Sequence, residues 1–333
     1  MRTTILLSVL LCLVSIGLGQ QRSAPKPTSE DDVIRVDTNL VTLPVKVSDH
    51  DKIVFGLRRE QFQVFENGIE QEIAYFEAPD NSPGGESNGR SLTIALVLDV
   101  SDSTEFKLKN IKNAALTFVD LLRPEDRVMV VVFDKNVQVL VESTSDRYVV
   151  RRAINALHMG GGTSLYEALN EVIGKRLARV SGRKAIVLLT DGVDTTSESI
   201  TFDSVMRTAE TSDVTIYPVQ YYTYADFADN RSLPPFGILV TRKGEYLSEA
   251  YKRATRYLRL LAEKTAGDFH FADNSKNLAK SFDTIARQLR EHYTLGYYPK
   301  DRSDGARKIE IRIKENPKLN VRTRRWYVYK NSR

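Results

Sequence analysis

The stretch that decides the fold is Leu92-Thr93-Ile94-Ala95-Leu96-Val97-Leu98, which is followed directly by Asp99-Val100-Ser101-Asp102-Ser103. A mainly apolar run without alternation is typical of a strand that is covered on both faces of a sheet. The residues after the run carry carboxylate and hydroxyl oxygens. The stretch therefore predicts a buried strand that ends in a loop of hard oxygen donors.

Two distant segments add oxygen donors at equivalent places. Thr163 lies in the loop Gly160-Gly161-Gly162-Thr163-Ser164, and Asp191 follows a second apolar run. Open α/β sheets collect their ligands at the carboxyl ends of the strands, where these residues are expected. Oxygen-only ligands suit a divalent cation, with Mg²⁺ preferred and Mn²⁺ or Ca²⁺ as alternatives.

The segment from Leu92 to Val219 alternates apolar runs with helical periodicity, which predicts a doubly wound, mainly parallel, Rossmann-like α/β sheet. The predicted strands are Leu92–Leu98, Arg127–Phe133, Val137–Val141, Lys184–Thr190 and Val214–Val219. The predicted helices are Leu108–Leu122, Arg147–Leu157, Ser164–Arg179 and Ser204–Ser212, with two more at Tyr251–Ala266 and around Leu278–Leu289.

Extended patterns flank this segment on both sides. Val41–Ser48 alternates apolar and polar residues, and Pro44 predicts that this strand lies at a sheet edge. The tail returns to extended patterns at Tyr293–Tyr298, Lys308–Ile313 and Val321–Tyr329. We expect these N- and C-terminal β elements to pack together as a small sandwich-like module.

The chain is predicted to begin with a secretory signal at residues 1–19. Arg2 precedes an apolar stretch from Ile5 to Leu18, which is shorter than the roughly 20 residues that span a bilayer. The further divisions are a β-rich region at 20–77, a linker at 78–90, the main domain at 91–292 with an insertion at about 221–250, and a β-rich extension at 293–333. A secreted, periplasmic or cell-envelope protein without a stable transmembrane span is expected.

Composition narrows the classes of partner. The chain has 48 basic and 43 acidic residues, a formal net charge of +5, 41% apolar residues and 27% charged residues. These values describe an ordinary globular protein, and the mild basic excess predicts no nucleic-acid partner. Cys12 is the only cysteine, so the mature chain is expected to lack disulfides.

The order Asp-x-Ser-x-Ser, glycine-flanked Thr, Thr-Asp-Gly resembles the metal-ion-dependent adhesion site of von Willebrand factor type A (VWA) domains. The resemblance covers about residues 92–290, and all its ligand positions are filled, by Asp99, Ser101, Ser103, Thr163 and Asp191. The flanking stretches Phe62–Gln71 and His292–Pro299 look like the secreted VWA-related proteins of acidobacteria.

The resemblance implies a role for each of these residues. The three hydroxyls would bind the cation directly or through water, and the two carboxylates would bind it or hold its waters. An acidic residue of a protein partner would complete the coordination. The implied function is metal-dependent protein binding or adhesion, without catalysis.

Two alternatives stay open. A metal-dependent, phosphatase-like hydrolase would carry Asp-x-Asp after the first strand, but Ser101 stands at the second position and cannot serve as the general acid. A purely structural cell-envelope component would bind without any divalent cation. Asp194 and Glu198, just past Asp191, are expected to cap the helix that follows.

Overall fold

The computed structural model describes residues 40–50, 52–79, 91–101, 107–221 and 244–329. The predicted signal segment, Ser103, most of the linker and most of the insertion lie outside these ranges. The described residues from 40 onward belong to one compact unit, Asn39–Arg333.

The chain alternates strands and helices in its middle part and is mostly extended at both ends. In chain order the strands are β1 (Val41–Asp49), β2 (Lys52–Ile53), β3 (Phe62–Glu66), β4 (Ile69–Gln71), β5 (Ile73–Glu77), β6 (Thr93–Asp99), β7 (Arg127–Phe133), β8 (Val137–Thr144), β9 (Lys184–Thr190), β10 (Val214–Tyr221), β11 (His270–Ala272), β12 (Tyr293–Tyr297), β13 (Gly305–Ile313), β14 (Asn320–Arg322) and β15 (Trp326–Tyr329). The α-helices are α1 (Leu108–Asp120), α2 (Arg147–Asn155), α3 (Leu165–Asn170), α4 (Phe202–Thr211), α5 (Leu247–Lys264) and α6 (Ser275–Gln288).

A six-stranded sheet in the order β11-β10-β9-β6-β7-β8 forms the centre of the molecule. Its neighbouring strands pair in parallel except for β8, which runs antiparallel to β7. All residues of β6, β9 and β10 are buried, as the mainly apolar runs of β6 and β9 predict. The predicted doubly wound, mainly parallel fold is confirmed.

Helices cover both faces of this sheet. On one face α1, α2 and α6 share a core in which Phe118 and Phe282 lie 5.4 Å apart between ring centroids. On the other face α3, α4 and α5 contribute Leu169, Val205 and Leu258 to a second core. The sheet is therefore shielded from water on both sides, which leaves its strand ends as the places where polar groups can meet.

Two sequence-based assignments differ in kind from the structure, and α5 begins at Leu247, before the predicted Tyr251 and inside the predicted insertion. The predicted helix Ser164–Arg179 ends as α-helix at Asn170 and continues as a π-helical turn, Glu171–Arg176, and a 3₁₀ turn, Leu177–Arg179. Gly174 lies in the π-helical turn, where its lack of a side chain weakens regular helix. The predicted strand Val321–Tyr329 is instead two strands, β14 and β15, which join different sheets.

The flanking strands from the two ends of the chain pair with each other, so the predicted flanking β elements are confirmed. β1 pairs antiparallel with β12 and β14, while β3 pairs with β13, and their apolar side chains share one core. Pro44 pairs with Thr294 on one side, and the β14 ladder on the other side begins only at Lys46. The expected edge position of Pro44 therefore holds for its half of β1 only.

Ion pairs and hydrogen bonds attach these flanking strands to the loops at the amino-terminal edge of the central sheet. Asp268, which precedes β11, forms ion pairs with Lys46 of β1 and Arg322 of β14. These two cations lower the pKa of the Asp268 carboxyl against the opposing effect of burial, which is the largest single influence. Arg183 similarly joins Glu77 of β5 to the backbone carbonyl of Leu289. No helix within the described ranges is both long and apolar enough to cross a membrane.

A buried histidine, His292, should make the stability of the protein depend on pH. Nε2 of His292 lies 3.1 Å from the Ala266 carbonyl oxygen. Burial lowers the pKa of the His292 ring to about 4, and the positive charges of Lys46 and Arg183 act in the same direction. The unfolded chain takes up a proton near the ordinary pKa of about 6.5, whereas the folded protein does so only near pH 4. The contribution of His292 to stability should therefore be full above about pH 6.5 and fall towards pH 4, by on the order of 3 kcal/mol.

Urea unfolding at pH 7 and pH 4.5 measures this loss. The His292→Gln variant serves as the reference, because it removes the titrating ring and keeps a polar side chain. We expect the variant to lose clearly less stability than the wild type over this interval. Equal losses in the two proteins would contradict a neutral, buried His292.

Candidate metal centre

The candidate centre lies where β6 and β9 end side by side. The two strands pair in parallel with Leu98 opposite Leu189, so Asp99 and Thr190 lie at adjacent carboxyl ends. The Thr190 hydroxyl donates to Oδ2 of Asp99 at 2.6 Å, and both side chains are fully buried. Asp191, the next residue, therefore leaves the sheet beside the Asp99 carboxylate.

A tight turn after β6 brings Ser101 onto the same carboxylate. The Ser101 backbone N–H donates to Oδ1 of Asp99 at 3.0 Å, and its hydroxyl donates to that oxygen at 2.5 Å. Short aspartate side chains commonly close such turns with the backbone two residues on. Ser101 is thus held with its hydroxyl oxygen against Asp99.

Asp191 is oriented through both of its carboxylate oxygens. The Val193 N–H donates to Oδ1 at 2.9 Å, and the Tyr251 hydroxyl of α5 donates to Oδ2 at 3.1 Å. Gly192, between Asp191 and Val193, has φ +87°, a backbone conformation that favours glycine. A Cβ at Gly192 would also come within 3.0 Å of Ala254 and Leu258, so α5 packs directly on this loop.

The triple-glycine loop is joined to both of the other segments. The Gly160 N–H donates to the Val100 carbonyl oxygen at 2.9 Å, which ties the loop to the turn after β6. The Thr163 carbonyl oxygen accepts from the Thr195 N–H at 2.9 Å, and the Thr163 N–H donates to the Thr195 hydroxyl at 2.9 Å. Backbone contacts therefore hold Thr163 at the same edge of the sheet.

The structure places four of the five sequence-predicted ligands, Asp99, Ser101, Thr163 and Asp191, in hydrogen-bonded loops at one sheet edge, and all four are at least 95% buried. Ser103 lies outside the described residues. Whether these residues bind a cation stays a prediction, because hydrogen bonds within the protein also account for their positions.

The electrostatics of this edge suit a cation. Burial, together with repulsion from Asp191, raises the pKa of Asp99 to about 7. Two carboxylates from different strands are thus held close together away from water, an arrangement that a nearby positive charge stabilises. Within the described ranges no three His, Cys, Asp or Glu side chains form a metal-binding group. A cation here would need hydroxyl oxygens in addition to the two carboxylates, a ligand set that fits Mg²⁺.

The sequence motifs assign no role to three residues that orient the centre, Thr190, Tyr251 and Gln220. Thr190 stands directly before Asp191, and its place at the end of an apolar run could have indicated a role. Tyr251 and Gln220 act from 60 and 29 residues away along the chain. No local pattern marks either of them.

The expected capping by Asp194 and Glu198 is wrong. Thr201 caps α4, with its hydroxyl accepting from the Ser204 N–H. Asp194 accepts instead from Ser197 and, at 3.3 Å, from the backbone N–H of Tyr166 in the first turn of α3. The cap thus serves a helix that precedes Asp194 in the chain, because the fold brings α3 next to this loop.

Comparison with known proteins identifies the central region. The family model for the von Willebrand factor type A domain matches residues 94–193, which contain Asp99, Thr163 and Asp191. The chain contains a VWA domain. Inter-alpha-trypsin inhibitor heavy chain H2 from Mesocricetus auratus is 27% identical over 293 residues, covering 84% of this chain and 26% of that protein. An uncharacterized protein from Synechocystis is 35% identical over 105 residues, covering 30% of this chain and 25% of that protein.

The chain thus spans about a quarter of the length of these two relatives. Among solved structures it is similar to the vWF domain of the type V pili tip protein Mfa5 from Porphyromonas gingivalis, at 16% identity and a TM-score of 0.44, covering 60% of this chain and 95% of that one. The pilus adhesin SpaC from Lactobacillus rhamnosus GG has 13% identity and a TM-score of 0.46, covering 72% of this chain and 36% of that one.

Proposed function

We propose that the VWA domain of this chain binds a protein partner through a divalent cation, Mg²⁺ before Mn²⁺ or Ca²⁺, at the edge formed by β6 and β9. The observation that supports this most is the pair of buried carboxylates, Asp99 and Asp191, with the Ser101 hydroxyl beside them. Two like charges in a dehydrated place are costly unless a cation offsets them. The metal ion would bind between the Asp99 and Asp191 carboxylates and offset their charge.

The ligand residues would differ in the charge that they bring to the ion. Asp99 and Asp191 would supply the negative charge, while Ser101, Ser103 and Thr163 would supply neutral oxygens. Where a carboxylate holds a metal-bound water and neutral hydroxyls contact the ion directly, few charged groups touch the ion, which then keeps enough positive charge to attract a further carboxylate. An acidic side chain of the partner would complete the octahedral coordination.

We further propose that the protein is exported and has no catalytic activity. Export rests on the signal-like pattern of residues 1–19. The absence of catalysis rests on Ser101, which stands where a phosphatase-like site needs a second acid. A metal-dependent turnover of phosphoester substrates that disappears in Asp99→Ala would support the hydrolase alternative instead.

Cation uptake and carboxylate recognition are tested in turn. We expect calorimetry on the cation-free protein to record uptake of one Mg²⁺ per chain. A short glutamate-containing peptide should then bind in the presence of Mg²⁺ and be released by chelator, whereas its glutamine counterpart should not bind. The matched peptides differ only in the charge that the ion would attract. Absence of any Mg²⁺, Mn²⁺ or Ca²⁺ uptake would refute the proposal.

A further inference from the structure

One face of α5 is packed against the loop that carries Asp191. Tyr251, Ala254 and Leu258 are spaced by three and four residues, so they lie on one side of the helix, and all three are buried. Ala254 and Leu258 approach Gly192 so closely that a Cβ there would lie 3.0 Å from Ala254 Cβ and 2.9 Å from Leu258 Cδ1. This face of α5 therefore packs directly against the residue next to Asp191.

Hydrogen bonds connect the same helix to Asp191 by two routes. The Tyr251 hydroxyl donates to Oδ2 of Asp191 at 3.1 Å. Thr255, one turn further along α5, donates to Oε1 of Gln220 at 2.9 Å, and Nε2 of Gln220 donates to the Asp191 carbonyl oxygen at 2.9 Å. The side chain and the main chain of Asp191 are thus both held from α5.

Tyr251 completes the orientation of the Asp191 carboxylate. Oδ1 already accepts the Val193 N–H, so the Tyr251 hydroxyl gives the second oxygen a donor as well. With a donor on each oxygen, the carboxylate plane is fixed, and each oxygen has less capacity left to share in two-oxygen coordination of one ion. Such an arrangement favours coordination through a single carboxylate oxygen or through a metal-bound water.

We infer that Tyr251 is a positioning residue that makes the candidate centre select Mg²⁺ over Ca²⁺. The inference rests on the proposed function, because it assigns Asp191 to a cation. Mg²⁺ requires near-ideal octahedral geometry at short distances, whereas Ca²⁺ accepts flexible coordination with one or both oxygens of a carboxylate. Fixing the Asp191 carboxylate therefore helps the smaller ion more than the larger one.

The Tyr251→Phe variant tests this inference, and Tyr257→Phe is its matched control. Tyr257 is buried on the same helix, and within the described ranges its hydroxyl has no hydrogen-bond partner. Calorimetric titrations with MgCl₂ and with CaCl₂ are made on both variants and on the wild type. We expect Tyr251→Phe to weaken Mg²⁺ binding about tenfold, as loss of an outer hydrogen bond to a metal ligand does, with a much smaller change for Ca²⁺. Tyr257→Phe should leave both affinities unchanged.

A second variant, Thr255→Val, tests the same inference in case Tyr251→Phe does not fold. Thr255→Val removes the route through Gln220 and should shift the Mg²⁺ to Ca²⁺ affinity ratio in the same direction by a smaller factor. If the wild type binds no cation, the proposed function itself fails. If the wild type binds Mg²⁺ and Tyr251→Phe keeps the wild-type affinity ratio, the inference is overturned while the proposed function stands.

Discussion

Replacing Asp99 by asparagine is expected to abolish Mg²⁺ uptake and to leave the cation-free protein at least as stable as the wild type. Asp99 and Asp191 repel each other in a buried place, and burial disfavours the charge of Asp99 further. The substitution removes one of the two charges while conserving the shape of the side chain. The Thr190 hydroxyl, which has two acceptor lone pairs, can accept from the new amide.

The expected size of the effect follows from the place of Asp99 in the site. Loss of an outer-shell hydrogen bond costs about 10- to 100-fold in metal affinity, and loss of a charged ligand should exceed about 100-fold. Calorimetry with MgCl₂ measures the first consequence. Thermal unfolding with and without MgCl₂ measures the second, because a ligand that binds only the folded state raises Tm. The wild type should gain stability from MgCl₂, and Asp99→Asn should not.

Asp126 offers a control with the opposite outcome. It is a buried aspartate before β7, at the other edge of the sheet, and it accepts hydrogen bonds from the backbone of Leu92 and Arg123 and from the Arg290 side chain. Asp126→Asn should lower stability in the absence of Mg²⁺ and leave Mg²⁺ uptake intact. If Asp99→Asn lowered stability as Asp126→Asn does and retained Mg²⁺ binding, the carboxylate of Asp99 would be structural only.

The sequence predicted the central sheet closely because its signals are local. The apolar runs before Asp99 and before Asp191 mark buried strands, and parallel strands necessarily present their carboxyl ends at one edge. The same reasoning placed Thr163 at that edge through its glycine-rich loop. These inferences need only the period of the side chains and the handedness of the connections.

The contacts that orient the site could not be predicted in this way. Tyr251 lies on a helix whose period indicates a buried face but not which loop that face covers. Between β14 and β15 lies Arg324, whose guanidinium is buried and donates to the Thr42 and Thr211 carbonyl oxygens. Neither partner is near Arg324 in the chain. Such pairings follow from the assembled fold and leave no periodic trace in the sequence.

The largest loss of stability in the flanking strands is expected for Glu66→Ala. Glu66 of β3 is 2% exposed and accepts the Tyr297 hydroxyl of β12 at 2.7 Å and the Tyr327 hydroxyl of β15 on the same oxygen. Its other oxygen lies 3.7 Å from the guanidinium of Arg307 in β13. One carboxylate thus joins strands from both ends of the chain. Burial raises the pKa of both tyrosines, so they remain protonated donors.

Removing this carboxylate leaves two buried hydroxyls without their acceptor and weakens the compensation of a buried guanidinium. Each unsatisfied buried group costs about 1–3 kcal/mol, so Glu66→Ala should lower the free energy of unfolding by at least about 3 kcal/mol. Glu66→Gln, which keeps an acceptor oxygen, should cost clearly less. Glu310→Ala is the matched control on β13, because its ion pair with Arg312 is exposed and should contribute less than about 1 kcal/mol. Chemical unfolding of the three variants measures these losses of stability. If Glu66→Ala costs no more than Glu310→Ala, the buried carboxylate does not hold the two ends of the chain together.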